Sequence, residues 1–279
     1  MDGRALGARI RSELKDEVAQ LGEVGLATIL VGDDPASQIY IRLKHEAAAE
    51  VGINAVDRRL PADTAEEDLL DLVAESNQDD AIDGILVQTP LPPHIDEARI
   101  MRAIDPMKDV DGLHPFNAGQ LYFGHETLVP ATPVGVMRLL DEYGVAVAGA
   151  RAVVVGRSTI VGRPVAMLLL HANATVTICH SRTDDLGHHT RDADILVAAV
   201  GRPAVVTAEM VKQGAAVVDV GINRTEGGLV GDVDPAVADV AAFLTPVPGG
   251  VGPMTIVSLL QNAVRAARYR RGALAFPRV

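Results

Sequence analysis

The chain is poor in aromatic residues and in cysteine. It contains no tryptophan, and Phe, Trp and Tyr together make up only 3% of its 279 residues, so a core must be built from aliphatic side chains. A core of Val, Leu, Ile and Ala is typical of parallel sheets that are covered by helices. The single cysteine, Cys179, excludes an internal disulfide framework within this sequence and is typical of a cytoplasmic protein.

Long apolar runs and positive charge are also scarce. No segment reaches the roughly eighteen consecutive apolar residues of a membrane-spanning helix, and the first residues lack the apolar stretch of a signal peptide. There are 25 Lys and Arg residues against 37 Asp and Glu residues, which gives a formal net charge of −12. Because general nucleic-acid binding needs a basic face, this charge argues against nucleic acid as a partner, although a net negative charge is most often simply that of a well-solvated surface. The lack of long apolar runs argues against a membrane as a partner.

Helix and strand patterns alternate along the chain, which predicts an α/β fold. The chain is loop-rich at residues 89–93 and again at 105–124, and Ser37 is the expected N-cap of the second helix. A strongly amphipathic last helix begins at Thr255, and we expect its arginines to solvate its exposed face (Arg265, Arg268, Arg270 and Arg271). The helical patterns cover residues 5–21, 37–51, 65–77 and 132–143, and the strand patterns cover 26–31, 53–60, 84–87, 152–155, 175–179, 195–199 and 216–220.

The most informative segment follows the strand at residues 152–155. Gly156 and Gly162 enclose a polar turn that contains Arg157 and Ser158, and a helical pattern comes next. A strand, a tight turn and a helix N-terminus present free backbone N–H groups to a phosphate. The spacing is G-x5-G, however, and not the G-x-G-x-x-G of the dinucleotide fingerprint, so this site needs support from other residues.

The end of the next strand provides that support. Sites specific for NAD carry an acidic residue there, which binds the ribose 2′-hydroxyl. Here Ser181 and Arg182 follow the strand, and the first carboxylate is Asp184. Because a guanidinium group binds phosphate in bidentate fashion, these residues and Arg157 favour NADP over NAD. An ordinary surface loop that carries an arginine is the alternative on these residues alone.

A different group of residues lies in the first half of the chain. Tyr40 and Lys44 are four residues apart on a predicted helix, so they share one face, although such a lysine is most often an ordinary surface side chain. Gln88 directly follows an apolar strand, at the edge where α/β proteins bind ligands. Asp109 and Asp111 offer two carboxylates, but no histidines or further acids stand at ligand spacing, so we expect no metal.

Five motifs in register resemble the bifunctional methylenetetrahydrofolate dehydrogenase/methenyltetrahydrofolate cyclohydrolase family. The resemblance runs from residue 1 to residue 270, with one departure: Ala131 stands before Thr132 and Pro133, where the family often has cysteine. The motifs are PASQIY at 35–40 with Lys44, GILVQTPLP at 84–92, KDVDG at 108–112, GRSTIVGRP at 156–164 and PGGVGPMT at 248–255.

The resemblance implies two α/β domains around a cleft, the second with a Rossmann-like parallel sheet. Residues 1–130, completed by a C-terminal helix at 255–271 that returns to them, would bind folate, and residues 131–254 would bind NADP. The enzyme would oxidise 5,10-methylenetetrahydrofolate with NADP+ and hydrolyse the 5,10-methenyl product to 10-formyltetrahydrofolate. The family also implies a homodimer that is paired through the cofactor domains.

The resemblance assigns roles to residues as well. Lys44 would transfer protons during hydrolysis, Gln88 would tune it, Tyr40 would stack on the pterin, and Asp111 would accept hydrogen bonds from the pterin edge. The folate set would be Tyr40, Lys44, Val87, Gln88, Thr89, Asp111, Pro248, Gly249, Gly250, Val251 and Gly252. The NADP set would be Gly156, Arg157, Ser158, Ser181, Arg182 and Ile222.

Two other functions stay open. A dehydrogenase without cyclohydrolase activity would keep the same fold, but the presence of Lys44 with Gln88 argues against it. A non-catalytic dinucleotide sensor would need the turn at 156–162, but it would not need Tyr40, Lys44, Gln88 and Asp111 together.

Overall fold

A computed structural model describes residues 1–277, which form two compact units. The first unit comprises Arg9–Ala131 and the chain from Ile256 onward, and the second comprises Met1–Ala8 and Thr132–Thr255. The first eight residues therefore belong to the second unit, although the chain continues from them into the first. No helix in this part of the chain combines the length and the apolar character needed to span a membrane.

The first unit contains a three-stranded parallel sheet in the order β2-β1-β3. Helices α1 and α9 contribute residues to both units, because the unit boundaries fall within them. The elements of this unit are α1 (Gly3–Leu21), β1 (Val24–Val31), α2 (Pro35–Val51), β2 (Ile53–Leu60), α3 (Glu66–Gln78), β3 (Gly84–Val87), α4 (Glu97–Ala103), α5 (Pro115–Tyr122) and α9 (Val251–Arg270).

Strand β1 forms the centre of the first unit, and all eight of its residues are buried. Its side chains alternate between two cores, as strand geometry requires. Leu26 lies in a core formed with α1, α2 and α9, whereas Ile29 lies in a core formed with α3 and α4. Leu259 and Leu260 of α9 belong to the first of these cores, which confirms that the C-terminal helix packs on the first domain.

The second unit contains a five-stranded parallel sheet in the order β10-β7-β6-β4-β5. The chain passes from β4 outward to β5 and then returns to β6 on the other side of β4, as in doubly wound dinucleotide-binding folds. A short antiparallel hairpin, β8-β9, follows β7. The elements are α6 (Ala131–Glu142), β4 (Arg151–Val155), α7 (Gly162–His171), β5 (Thr175–Cys179), α8 (Leu186–Thr190), β6 (Ile195–Ala198), β7 (Ala216–Asp219), β8 (Asn223–Thr225), β9 (Gly228–Val230) and β10 (Phe243–Leu244).

Several local expectations were wrong. The stretch 105–124 is not only loop, because it contains the short helix α5, and the short helix α4 lies between the two loop-rich stretches. The N-cap of α2 is Asp34 and not Ser37: its carboxylate accepts a hydrogen bond from the Ser37 N–H at 2.7 Å. Helix α9 begins at Val251, before the expected start, because its proline lies in the first turn, where a missing N–H costs nothing.

The arginines of α9 do more than solvate its exposed face. Arg270 Nη1 donates to Asp83 Oδ1 at 2.9 Å and to the Ile82 carbonyl at 2.7 Å, and Arg271 donates to the Leu21 carbonyl at 2.7 Å. These groups lie at the amino-terminal side of the first sheet, next to β1 and β3. The basic end of α9 therefore anchors the helix to the first unit.

Candidate active site and dinucleotide site

The parallel strands of the first unit end together at one edge of its sheet. Helix α2 follows β1 in the chain, and Gln88 follows the neighbouring strand β3. The N–H of Gln88 donates to the carbonyl of Ile29, in β1, at 2.8 Å. The chain passes from β1 to β2 on one side of this central strand and later returns to β3 on its other side. Such a point opens a crevice at the carboxyl ends of the strands, which is where α/β proteins bind ligands.

Lys44 and Gln88 meet at this edge. Lys44 lies on α2 and donates from Nζ to Gln88 Oε1 at 3.1 Å. The other end of the same amide donates from Nε2 to the Thr89 carbonyl at 2.7 Å, which orients Oε1 towards the ammonium group. The amide therefore stabilises and directs the lysine side chain.

Burial and charge act in opposite directions on Lys44 and Asp111. Burial lowers the pKa of Lys44, and the carboxylate of Asp111 partly offsets this effect. Burial likewise raises the pKa of Asp111, and the charge of Lys44 partly offsets that. Because desolvation dominates in both cases, the site disfavours each charged form, and Lys44 loses its proton more readily than a lysine in water.

The segment that carries Asp111 runs alongside β3. The Ile85 N–H donates to the Lys108 carbonyl at 2.7 Å, and Asp109 forms an isolated parallel bridge with Ile85. The buried carboxylate of Asp109 accepts hydrogen bonds at 2.8 Å from the His114 N–H and from Asn117 Nδ2. Burial raises the pKa of Asp109 to about 6. Its contacts are internal to the fold, so Asp109 supports the backbone next to Asp111.

Sequence reasoning missed two residues that hold this segment. Asn262 of α9 donates from Nδ2 to the carbonyls of Val110 and Val129, both at 2.8 Å. Lys108, which is only 2% exposed, donates from Nζ to the Ser76 carbonyl at 3.0 Å. Asn262 is 152 residues away from Val110 and 133 residues away from Val129 in the sequence, so no local pattern could have revealed these two hydrogen bonds.

Three further residues of the expected folate set lie near Lys44 in the chain or at the end of β3. Tyr40 is 37% exposed and precedes Lys44 by about one turn of α2, so its ring has surface available for a ligand. Val87 is buried as the last residue of β3, and the peptide bond between Thr89 and Pro90 is cis. The first unit thus brings Lys44 and Gln88 into contact and places Asp111 within electrostatic reach of Lys44.

The turn after β4 has the close packing expected of a dinucleotide-binding turn. Gly156 has a φ of +131°, and a Cβ there would lie 2.2 Å from the carbonyl oxygen of Ala199, just past β6. Ser158 Oγ accepts from the N–H groups of Val161 and Gly162, at 3.1 and 3.3 Å, at the start of α7. The N–H groups at the N-terminus of α7 therefore donate to a neutral hydroxyl, and they would bind an anionic ligand more strongly than they bind this hydroxyl.

The other residues of the expected NADP set lie at the carboxyl ends of neighbouring strands. Arg157 is exposed after β4, and Ser181 and Arg182 are exposed in the turn after β5. Ile222 follows β7 and is 46% exposed. Four of the five strands of this sheet, β7, β6, β4 and β5, thus end in a row that is long enough for an extended ligand.

The glycine-rich segment Pro248–Gly252 belongs to the second unit. The carbonyl of Gly249 accepts from the N–H of Gly3 at 3.0 Å, and a Cβ on Gly3 would lie 1.8 Å from the carbonyl oxygen of Gly250. The first residues of the chain therefore support this segment, with no space for a side chain between them. Val251 and Gly252 form the first turn of α9. Within residues 1–277, no three His, Cys, Asp or Glu residues are grouped so that they could hold a metal ion.

Family models match both parts of the chain. The catalytic-domain model of tetrahydrofolate dehydrogenase/cyclohydrolase matches residues 1–111, and the NAD(P)-binding-domain model of the same family matches residues 130–271.

Individual proteins are similar over nearly the whole length. A bifunctional protein FolD from Halothermothrix orenii is 54% identical over 276 residues, which covers 96% of this chain and 98% of that protein. The crystal structure of a bifunctional FolD methylenetetrahydrofolate dehydrogenase/cyclohydrolase from Campylobacter jejuni has a TM-score of 0.95 at 48% identity and covers 96% of this chain and 98% of its own. A Trypanosoma brucei methylenetetrahydrofolate dehydrogenase-cyclohydrolase, complexed with NADP cofactor and inhibitor, has a TM-score of 0.93 at 44% identity, with coverages of 99% and 98%.

Proposed function

Because the chain belongs to the tetrahydrofolate dehydrogenase/cyclohydrolase family, we propose that its two activities share the folate-binding residues and that only the oxidation also needs the dinucleotide-binding residues. It oxidises 5,10-methylenetetrahydrofolate to the 5,10-methenyl cation with an NAD(P) cofactor and hydrolyses the cation to 10-formyltetrahydrofolate. The hydrolysis depends on Lys44 and its neighbours in the first unit. The oxidation depends in addition on the strand ends of the second unit. The observation that carries the proposal is the Lys44–Gln88 hydrogen bond beside Asp111.

Lys44 moves the protons of the hydrolysis. Water that attacks the methenyl carbon must lose a proton, and a ring nitrogen must gain one when its bond to that carbon breaks. A neutral amine accepts the first proton and then, as an ammonium group, donates it to the nitrogen. Burial lowers the pKa of Lys44, and the positive charge of the substrate lowers it further, so the neutral form is accessible.

The neighbours of Lys44 orient the reactants. Gln88 holds the lysine side chain through its Oε1, and the exposed ring of Tyr40 stacks on the pterin. Asp111 accepts two hydrogen bonds from the amino-pyrimidine edge, since one carboxylate matches two adjacent donors. Val87, Thr89 and the Pro248–Gly252 segment complete the folate site, where the glycines allow the backbone to approach the ligand closely.

The oxidation needs alignment more than acid–base chemistry, because loss of hydride leaves a stabilised cation. NADP supplies the hydride acceptor when it is bound. Gly156 and Ser158, with the N–H groups at the start of α7, would hold its pyrophosphate, and the exposed Ile222 would lie beside the nicotinamide. The residues present fit this cofactor, because Gly156 lets the turn pack against the Ala199 carbonyl and the N–H groups at the start of α7 have a neutral hydroxyl, that of Ser158, as their acceptor.

Ser181, Arg182 and Arg157 favour NADP over NAD. All three are exposed at the ends of the adjacent strands β4 and β5, where the ribose of the adenosine would lie. No carboxylate occupies positions 180–183, so nothing there competes for a ribose hydroxyl or repels a 2′-phosphate.

We further propose a homodimer that forms through strand β5. This strand pairs with β4 on one side and ends the sheet on the other. Thr175, Thr177 and Ile178 are exposed on it, and an open strand edge favours pairing with a second strand. A cytoplasmic location remains a prediction from the single cysteine.

One assay separates this function from its alternatives. The protein is mixed with NADP+ and 5,10-methylenetetrahydrofolate while the absorbances of NADPH and of the methenyl cation are followed together. We expect NADPH to form while the methenyl signal stays below it, because the cation is hydrolysed. Equal amounts of both would indicate a dehydrogenase without cyclohydrolase activity, and no change in either would indicate a binding protein.

A further inference from the structure

Two buried carboxylates, Asp219 and Asp232, lie beneath the loops that follow β6 and β7. Asp232 is fully buried and Asp219 is 4% exposed. Neither residue belongs to the site described above. Burying two carboxylates side by side is costly unless hydrogen bonds compensate each of them.

Backbone N–H groups converge on Asp232. Its Oδ2 accepts from the N–H groups of Val200 at 2.6 Å and Gly201 at 2.9 Å. Its Oδ1 accepts from the Arg202 N–H and from Asn223 Nδ2, both at 2.9 Å. Three successive N–H groups that point to one place form a concave anion site. Here the chain's own carboxylate is the anion, and it links the loop after β6 to the loop after β7.

Asp219 fixes the backbone that carries Asp232. Its Oδ1 accepts from the N–H groups of Gly221 at 3.0 Å and Asp232 at 2.8 Å, and its Oδ2 accepts from the Val233 N–H at 3.0 Å. The approach is very close, because a Cβ on Gly221 would lie 2.1 Å from Asp232 Oδ1, and one on Gly231 would lie 1.7 Å from Asp219 Oδ2. Only glycine at these two positions allows the carboxylates to reach the N–H groups.

The strand order indicates which part of the cofactor these loops face. The 2′-phosphate residues follow β5, and the pyrophosphate turn follows β4, so the cofactor runs from β5 towards β6 and β7. Each strand adds about 4.8 Å in that direction. The nicotinamide end therefore reaches the loops at 200–202 and 221–223, which Asp232 connects.

We propose that Asp232, supported by Asp219, is a positioning residue for hydride transfer, because it fixes the two loops against which the nicotinamide lies. It does not touch the reacting atoms. The inference rests on the proposed function. The carboxylate of Asp232 already fills the anion site after β6, so this loop cannot bind a phosphate of the cofactor. The turn after β4 can bind one, because the N–H groups at the start of α7 donate to the neutral Ser158 hydroxyl. The pyrophosphate therefore lies after β4, and the nicotinamide lies towards β6 and β7.

The variant Asp232→Asn tests this role. Asparagine has nearly the shape of aspartate, but an NH₂ group replaces one of the two carboxylate oxygens. This NH₂ group cannot accept the hydrogen bonds that the replaced oxygen accepted. We expect the dehydrogenase kcat/KM to fall about ten- to a hundredfold, from the loss of one or two charge-assisted hydrogen bonds. Both a lower kcat and a higher KM for NADP+ should contribute, with a larger isotope effect on transfer of deuteride. The cyclohydrolase rate, measured on methenyl substrate without dinucleotide, should stay within about twofold, since a residue that only positions the nicotinamide adds nothing to that step.

Two further variants keep the test decisive. Asp239→Asn makes the same chemical change at an exposed position seven residues further along the chain and should leave both activities as they are. If Asp232→Asn does not fold, Asn223→Ala removes one link to Asp232 and should still lower the dehydrogenase rate selectively. Equal losses of both activities, or an unchanged dehydrogenase, would overturn the inference. A wild-type protein without dehydrogenase activity would refute the proposed function instead.

Discussion

Replacing Lys44 with methionine removes the ammonium group that we propose moves protons during hydrolysis. Methionine has nearly the same length and fills similar space, so the change tests chemistry more than packing. Loss of a general acid–base group lowers a rate by roughly 10²- to 10⁴-fold, or roughly 3 to 5 kcal/mol of transition-state stabilisation. We expect a decrease of this size in the hydrolysis of the methenyl cation. Reduction of NADP+ by the methylene substrate should continue, with a higher KM for the folate.

The structure also predicts the effect of this substitution on stability. The pKa of Lys44 is lowered because desolvation outweighs the attraction of Asp111, so the site disfavours the ammonium group relative to water. Removing that group relieves this cost but leaves the buried carboxylate of Asp111 without the charge that partly offsets its burial, so the two effects oppose each other and the net change in the free energy of unfolding should be small. The loss of activity should not come from unfolding.

Stopped-flow absorbance of directly supplied methenyl substrate measures the effect. Lys15→Met is the matched control, because Lys15 is exposed on α1 and its replacement should change neither activity. Hydrolysis by Lys44→Met within a factor of about three of the wild type would refute the reasoning, because a general acid–base group contributes far more than that. An equal loss of both activities would mean that Lys44 acts only in binding.

Three other substitutions test the remaining assignments. Arg182→Ala should raise the KM for NADP+ and leave the KM for NAD+ nearly unchanged, because only NADP+ carries the 2′-phosphate; steady-state kinetics with both cofactors would show equal effects if the phosphate were bound elsewhere. Asp111→Ala should raise the KM for folate in both activities. The same substitution should lower the pKa of Lys44 further, since the carboxylate of Asp111 raises that pKa. Unchanged kinetics would show that Asp111 does not belong to the site. Ile178→Lys, on a side chain that is 40% exposed, should convert a dimer into monomers in sedimentation experiments; a dimer that persists would exclude the β5 edge as the interface.

The longer strands of the two parallel sheets were the most predictable part of the fold, whereas the short strands β8, β9 and β10 were not identified. Residues 84–87 and 175–179 were identified with the bounds that the structure shows, because short apolar or β-branched runs between turn residues are a strong local signal. Residues 53–60 also match β2, although only Ile53 and Val56 are β-branched there. The helices α4 and α5 were missed because they have only 7 and 8 residues and lie among prolines and glycines. Too few turns are present there for a periodic pattern to stand out.

The candidate site was predictable only in part. The spacing of Tyr40 and Lys44 indicated a shared helix face, and the position of Gln88 after a strand indicated a ligand-binding edge. Their roles, however, came from the family resemblance. The support from Asn262 and from Asp232 was not predictable, because these side chains bind backbone groups that lie far away in the sequence or in another loop. Such contacts depend on tertiary structure and leave no periodic trace.

The pH dependence of hydrolysis tests the central claim most directly. Methenyl substrate is supplied without any dinucleotide, the spontaneous rate is subtracted, and kcat/KM is measured from acid to alkaline pH. If neutral Lys44 accepts the proton from water, the rate should rise with pH through a pKa below that of an ordinary lysine, and Lys44→Met should abolish the rise. A pH-independent rate, or a rise that persists in Lys44→Met, would contradict the account.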